Sequence, residues 1–325
     1  METNLEQTQG YGEDPHCEHA RKMIRCVCGV PDADVHFLVG GTQTNVTVIS
    51  SVLRPYQGVV CASSGHINVH ETGAVEHSGH KVIALPATRG KISAAQVRAV
   101  FEGHFTDPTA EHMVQPAMVY ISYPTEYGTI YSKRELLEIK QACSEWEAPL
   151  FIDGARLGYG LESSESDLLL KDIAAIADVF YIGGTKQGAL FGEAVVITDK
   201  SLRKDFRYHI KQNGGMLAKG RLIGIQFEAL FDGGLYFKLA RNADRLAERI
   251  TAAFRDAGFQ FLEESCTNQV FPVLSNEAAE RLSEEFGFEQ WSIVDRDHVG
   301  VRFCTSWATT SEQVDALVAA ISELK

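Results

Sequence analysis

Between residues 35 and 197 short apolar runs alternate with stretches of helical period, the order that βαβ units and a mainly parallel sheet produce. Residues 35–39, 58–61, 81–85, 117–122, 149–152, 179–182 and 194–198 predict the strands. Helices are expected between them, over residues 44–53, 94–105 and 132–145. The last has Leu136, Leu137, Ile139 and Ala142 on one face, with Ser132 and Glu135 spaced as a capping box. Beyond residue 200 the texture changes. Helix formers run from 217 to 257, broken at Asp232-Gly233-Gly234. Strands at 259–262, 269–274 and 299–305, with helices at 276–286 and 311–324, then predict a small α+β unit. The chain therefore divides into a large domain, 1–215, and a small C-terminal α+β domain with its connecting helices, 216–325.

Length and charge narrow the function classes. With 325 residues and 45% hydrophobic content, the chain can bury a large core, and chains beyond roughly 250 residues usually split. Its 30 basic and 43 acidic residues leave a formal charge of −13, which repels a phosphate backbone and excludes nucleic acid as the main partner. No apolar run approaches the ~18 residues that span a bilayer. The polar, acidic start lacks a signal peptide's pattern, so a cytoplasmic protein is expected. The 7 cysteines read as reduced thiols, and Cys26-Val27-Cys28 has the wrong spacing for a redox or zinc pair. No metal site is expected.

Three stretches carry candidate chemistry. In Val39-Gly40-Gly41-Thr42-Gln43-Thr44-Asn45 a strand runs through glycines into a helix. The free N–H groups at that helix start, with the Thr42 hydroxyl, suit a phosphate, although a plain βα turn reads the same way. It matches neither the dinucleotide fingerprint nor the P-loop. In Leu150-Phe151-Ile152-Asp153 a carboxylate closes a strand at the sheet edge where α/β folds bind ligands. Asp153 is either a turn or capping aspartate or the partner of a cofactor's ring nitrogen. In Val179 to Leu190 a strand ends in Gly183-Gly184-Thr185-Lys186. Lys186 is solvated surface if it stands alone, and a Schiff-base lysine if it shares an edge with the other two. Their order along the chain favours the second.

These motifs, with Tyr11-Gly12-Glu13-Asp14, Gly65-His66-Ile67, Glu71-Thr72-Gly73, Pro124 to Thr129, DGARL at Asp153, GGTKQGAL at Gly183, Gly192-Glu193-Ala194 and Arg302 to Trp307, resemble the low-specificity L-threonine aldolases. Those are fold-type I pyridoxal 5'-phosphate (PLP) enzymes of the β-eliminating lyase group. The resemblance implies the aminotransferase-like fold, an α/β architecture with a mostly parallel seven-stranded sheet in the large domain. It implies that Gly41 and Thr42 hold phosphate, His66 stacks on the ring, Asp153 meets the pyridine nitrogen and Lys186 takes the aldehyde. Arg156, beside the cofactor, and Arg302 would bind the substrate carboxylate, whose planar shape matches a guanidinium fork. A structural ion pair remains the other reading of either arginine.

The implied reaction is retro-aldol cleavage of a β-hydroxy-α-amino acid, threonine or allo-threonine, to glycine and acetaldehyde. A β-elimination or racemisation on another amino acid, or a PLP-binding protein without catalysis, are the alternatives. His66, with an unperturbed pKa near 6.5, suits the base that takes the hydroxyl proton. Glu126 stands where many relatives have a histidine, and a carboxylate serves as base too. Relatives also carry an earlier segment with Asn-Asp and Pro that reaches the substrate site, and this chain starts near Tyr11 of that alignment. A homodimer or homotetramer is the implied assembly.

Overall fold

A computed structural model describes residues 2–324. Its larger sheet has seven strands, β1 (Asp34–Leu38), β2 (Gln57–Ala62), β3 (Lys81–Leu85), β4 (Gln115–Ser122), β5 (Leu150–Asp153), β6 (Val179–Gly183) and β7 (Glu193–Ile197), in the order β1-β7-β6-β5-β4-β2-β3. β7 runs antiparallel to both neighbours and the remaining pairings are parallel. Every residue of β5, β6 and β7 is buried, as expected of strands covered on both faces.

The two faces belong to different cores. Val119, Ile121, Ile152, Phe180 and Ile182 pack with the helices on one side. Met118, Tyr120, Phe151, Val179 and Tyr181 pack on the other. Asp153 shares the parity of Phe151 and so lies on the face of Tyr120 and Tyr181.

The Lys133–Ser144 helix is capped as expected. Ser132 Oγ accepts from Glu135 N at 3.2 Å, and Glu135 Oε2 accepts from Ser132 N at 2.7 Å. The Arg221–Phe231 and Leu235–Asp256 helices break at Gly233 (φ 55°) and Gly234 (φ 69°), left-handed conformations that glycine takes without strain. The first of these helices packs into the larger core through Ile223, Phe227 and Leu230.

The smaller sheet, all antiparallel, has the order β10-β11-β9-β8, with β8 (Phe261–Glu263), β9 (Gln269–Ser275), β10 (Glu289–Ile293) and β11 (His298–Cys304). A third core joins it to the Leu235–Asp256 and Ser311–Ser322 helices through Leu246, Ile250, Phe254, Val301 and Leu317.

The structure adds several elements to those read from the sequence. One is the Pro15–Cys28 helix, capped by Asp14, whose Oδ1 accepts from Cys17 N at 2.9 Å, and closed by Gly29 at φ 67°. Another is strand β10. The helix expected from residue 44 starts earlier, spanning Gly41–Val52. All seven cysteines are free thiols, and among the described residues no helix is long and apolar enough to cross a membrane.

Candidate active site

Asp153 ends β5 almost completely buried and carries four donors. Oδ2 accepts from Tyr120 Oη at 2.6 Å and Asn45 Nδ2 at 3.0 Å. Oδ1 accepts from Tyr181 Oη at 2.5 Å and Ala155 N at 3.0 Å. Strand parity explains the two tyrosines, which come from the strands flanking β5. Burial alone would push the Asp153 carboxyl up. His66 when protonated, the two tyrosine hydroxyls and the Ala155 N–H outweigh it and hold the carboxyl below the usual range.

Lys186 lies in the connection from β6 to β7. That connection folds back on the sheet, with Gly184 N and Thr185 N donating to Gly192 O at 3.0 and 3.2 Å. Tyr159 Oη donates to the Lys186 carbonyl at 2.5 Å. The turn is tight enough that a Cβ on Gly183 would stand 2.4 Å from Ala155 O. Burial, aided by the Arg156 charge, brings the Lys186 amine down to about 8, against the pull of Asp153 and Glu193. A useful fraction is therefore neutral near physiological pH. Glu193, buried at the start of β7, accepts from Gly184 N at 3.0 Å, and burial raises it to about 8.

His66 follows β2 in the Gly65 turn. Its Nδ1 lies 2.8 Å from Glu71 Oε1, and the same oxygen accepts from Asn45 Nδ2 at 2.7 Å. Burial would lower the His66 pKa. The Glu71 hydrogen bond and the charges of Asp153 and Glu71 overcome both burial and Lys186, so the imidazole sits above its ordinary value. Glu126 is buried behind it. Its Oε1 accepts from His66 N at 2.8 Å and Ser122 Oγ at 2.5 Å. Burial raises its pKa, Asp153 adding to the effect, against the Ser122 hydrogen bond and His66.

The two arginines differ. Arg156 precedes the Leu157–Glu162 helix, and its guanidinium makes no hydrogen bond or ion pair among the described residues, while its charge reaches Lys186. Arg302 on β11 also acts on Lys186, but it is already engaged. It pairs with Glu289 across the strands, donates to Gln269 Oε1 at 3.2 Å and stacks over Trp291 at 4.4 Å. Gly41 and Thr42 open the Gly41–Val52 helix, whose cap residue Gly40 offers no side chain. A Cβ on Gly41 would lie 3.2 Å from Tyr181 Oη, so this helix start faces the Asp153 cluster.

Lys186, Asp153, His66, Glu126 and the Gly41 helix start are thus gathered at one edge of the sheet, with Arg302 reaching in from the small sheet. Sequence reasoning assigned no role to Asn45, Glu71, Tyr120, Tyr181 or Glu193. Strand parity could have found the tyrosines. Asn45, Glu71 and Glu193 lie inside the quoted motifs, but the contacts of Asn45 join segments far apart in the chain, and those of Glu71 with His66 and of Glu193 with Gly184 depend on loop geometry that no local pattern gives.

The fold is that of the fold-type I PLP-dependent enzymes. An aspartate aminotransferase from Thermus thermophilus shares it at a TM-score of 0.68 and 15% identity, over 98% of this chain and 88% of that one. The sequence profile of the family described as beta-eliminating lyase matches residues 1–277. The chain belongs to that family and is a PLP-dependent lyase by class. A low-specificity L-threonine aldolase of Pseudomonas sp. is 29% identical over 323 residues, 96% of this chain and 89% of that protein. The structure of Leishmania major threonine aldolase is similar at a TM-score of 0.96 and 41% identity, covering 99% of this chain and 93% of the other.

Proposed function

We propose that this chain cleaves β-hydroxy-α-amino acids, threonine or allo-threonine, to glycine and acetaldehyde with PLP held at Lys186. The observation that carries the reading is the meeting of a half-buried lysine brought down to about 8 with a fully hydrogen-bonded aspartate and an unpaired arginine. The threonine aldolase relatives support the same reaction.

The residues present fit the cofactor. The uncapped start of the Gly41–Val52 helix leaves backbone N–H groups for a phosphate, with the Thr42 hydroxyl beside them. A carboxylate offers about four acceptor positions, and Asp153 has four donors. Holding a ring nitrogen therefore requires one donor to yield, and Tyr181 Oη, which also faces Gly41, is placed to do so. PLP, when bound, withdraws electrons from the substrate Cα and so weakens its bonds.

The chain's own groups supply the rest. Arg156 takes the substrate carboxylate in its free fork, and Arg302 adds a second contact if Glu289 releases it. Fixing the carboxylate turns the Cα–Cβ bond to the angle at which it breaks. Asp153 keeps a negative charge against the ring, and its remaining donors resist its protonation. His66 or Glu126 takes the β-hydroxyl proton, and the Lys186 amine can deliver one to Cα. The working unit on this reading is a homodimer or homotetramer. Leu190, 88% exposed beside the Lys186 turn, is an apolar side chain that such an interface would cover.

The test is aldehyde release from L-threonine, L-allo-threonine and phenylserine by protein supplied with PLP. Acetaldehyde and glycine are expected from the first two, and a visible cofactor band that Lys186→Ala abolishes. Ammonia with 2-oxobutyrate (from phenylserine, phenylpyruvate) and no aldehyde would overturn the proposal.

A further inference from the structure

His66 and Glu126 are the two candidate bases of the proposed reaction, and the contacts around them separate their roles. Glu126 is committed through Oε1 to the His66 backbone N–H and the Ser122 hydroxyl. Burial raises its pKa, and the oxygen beside His66 is already held by these two donors. His66 is held differently. Its Nδ1 lies 2.8 Å from Glu71 Oε1, and Glu71 has a side chain with no solvent exposure. Asn45 Nδ2 fixes that same oxygen at 2.7 Å and reaches Asp153 Oδ2 at 3.0 Å. One amide therefore ties together the carboxylate behind the histidine and the carboxylate at the end of β5.

We infer that Glu71, anchored by Asn45, is the positioning residue that fixes the tautomer of His66 and makes His66, not Glu126, the acceptor of the substrate hydroxyl proton. The inference rests on the retro-aldol reading. A carboxylate on Nδ1 keeps a proton there in the neutral ring and leaves Nε2 as the acceptor, the arrangement that activates histidines in hydrolytic triads. Nε2 makes no hydrogen bond among the described residues. The step balances: the hydroxyl proton passes to Nε2, an oxygen lone pair closes the aldehyde C=O, and the Cα–Cβ electrons go to Cα. A proton returned to Cα then yields glycine.

The groups facing His66 are Glu71, Asp153, Lys186, Glu126 and, with ring centroids 5.5 Å apart, His70. Among them only Glu71 touches the ring through a hydrogen bond. Glu71→Gln preserves shape and removes the charge. The expected result is a fall in the His66 pKa of about one unit, read by NMR on the whole chain with and without added PLP. The acid limb of kcat/KM should move down by the same amount, with kcat lowered and KM little changed. An unaltered His66 pKa, or a change in KM alone, would overturn the inference.

Wild-type protein offers a second test that needs no variant. Nitrogen-15 shifts should show neutral His66 as the Nδ1–H tautomer, and an Nε2–H tautomer would refute the role of Glu71. Failure of the wild type to bind PLP or release aldehyde would instead sink the retro-aldol reading while leaving these NMR results standing.

Discussion

Asp244 allows the burial reasoning to be checked far from the chemistry. It lies on the Leu235–Asp256 helix, 3% exposed, with neither carboxylate oxygen hydrogen-bonded. Burial, with Glu248 and Glu162 nearby, raises its carboxyl to about 9, while the Asn268 N–H pulls weakly the other way without reaching bonding geometry. Between an unfolded value near 4 and that folded value, the native chain holds one proton more than the unfolded chain. Rising pH therefore destabilises the fold by about 1.4 kcal/mol per unit across this window. Asp244→Asn keeps the shape and abolishes the titration. From pH 5.5 to 7.5 the variant should gain about 2.7 kcal/mol relative to wild type, the cost of two units. Urea unfolding of both proteins at one concentration and at each pH measures this difference. Parallel pH dependence in the two would mean that Asp244 is ionised in the native state, and would refute the reasoning.

Three further outcomes are expected. Gly183→Ala puts a methyl 2.4 Å from Ala155 O and 2.7 Å from its carbonyl carbon, backbone that cannot yield. It should lower stability by about 3 kcal/mol or leave the protein insoluble. Gly103→Ala, in the Ala94–Thr106 helix with nothing within 4 Å, should instead stabilise by roughly 0.5–1 kcal/mol. Denaturant midpoints compare the two, and equal midpoints would contradict both. Glu289→Gln releases Arg302 from a surface pair of a kind worth about 0.2–1 kcal/mol, so the amino-acid KM should drop about 1.4- to fivefold with kcat unchanged. A rise in KM would show that Glu289 holds Arg302 in place for the substrate.

The strands of the large sheet were legible because each is a dense apolar run between turn residues, and β3 falls at the predicted Lys81–Leu85. β10 was not, since Glu289–Ile293 has no buried residue and lies at a sheet edge, leaving no alternation to read. The Pro15–Cys28 helix had its signals, an aspartate cap, an early proline and a closing glycine, but lies outside the alternating region. Asp153 and Lys186 could be found because strand ends converge on one edge in any parallel sheet. The Asn45–Glu71–His66 chain of contacts could not, since it needs side-chain distances from segments whose mutual placement no local pattern contains. The surroundings of Arg156 and Arg302 were equally hidden: among the described residues one guanidinium stands free and the other is shared by Glu289, Gln269 and Trp291.

The reversed direction of β7 bears on how the lysine works. Because β7 returns beside β6, residues 184–192 form a hairpin end and not a helical crossover, pinned at Gly184 and Thr185 to Gly192 and at the Lys186 carbonyl by Tyr159. The backbone under the lysine is stiff at both ends. Any travel of the amine during a turnover must then come from its four-carbon stem alone. The anchor stays still while its tip swings, so the amine can leave and return without the sheet edge losing its shape.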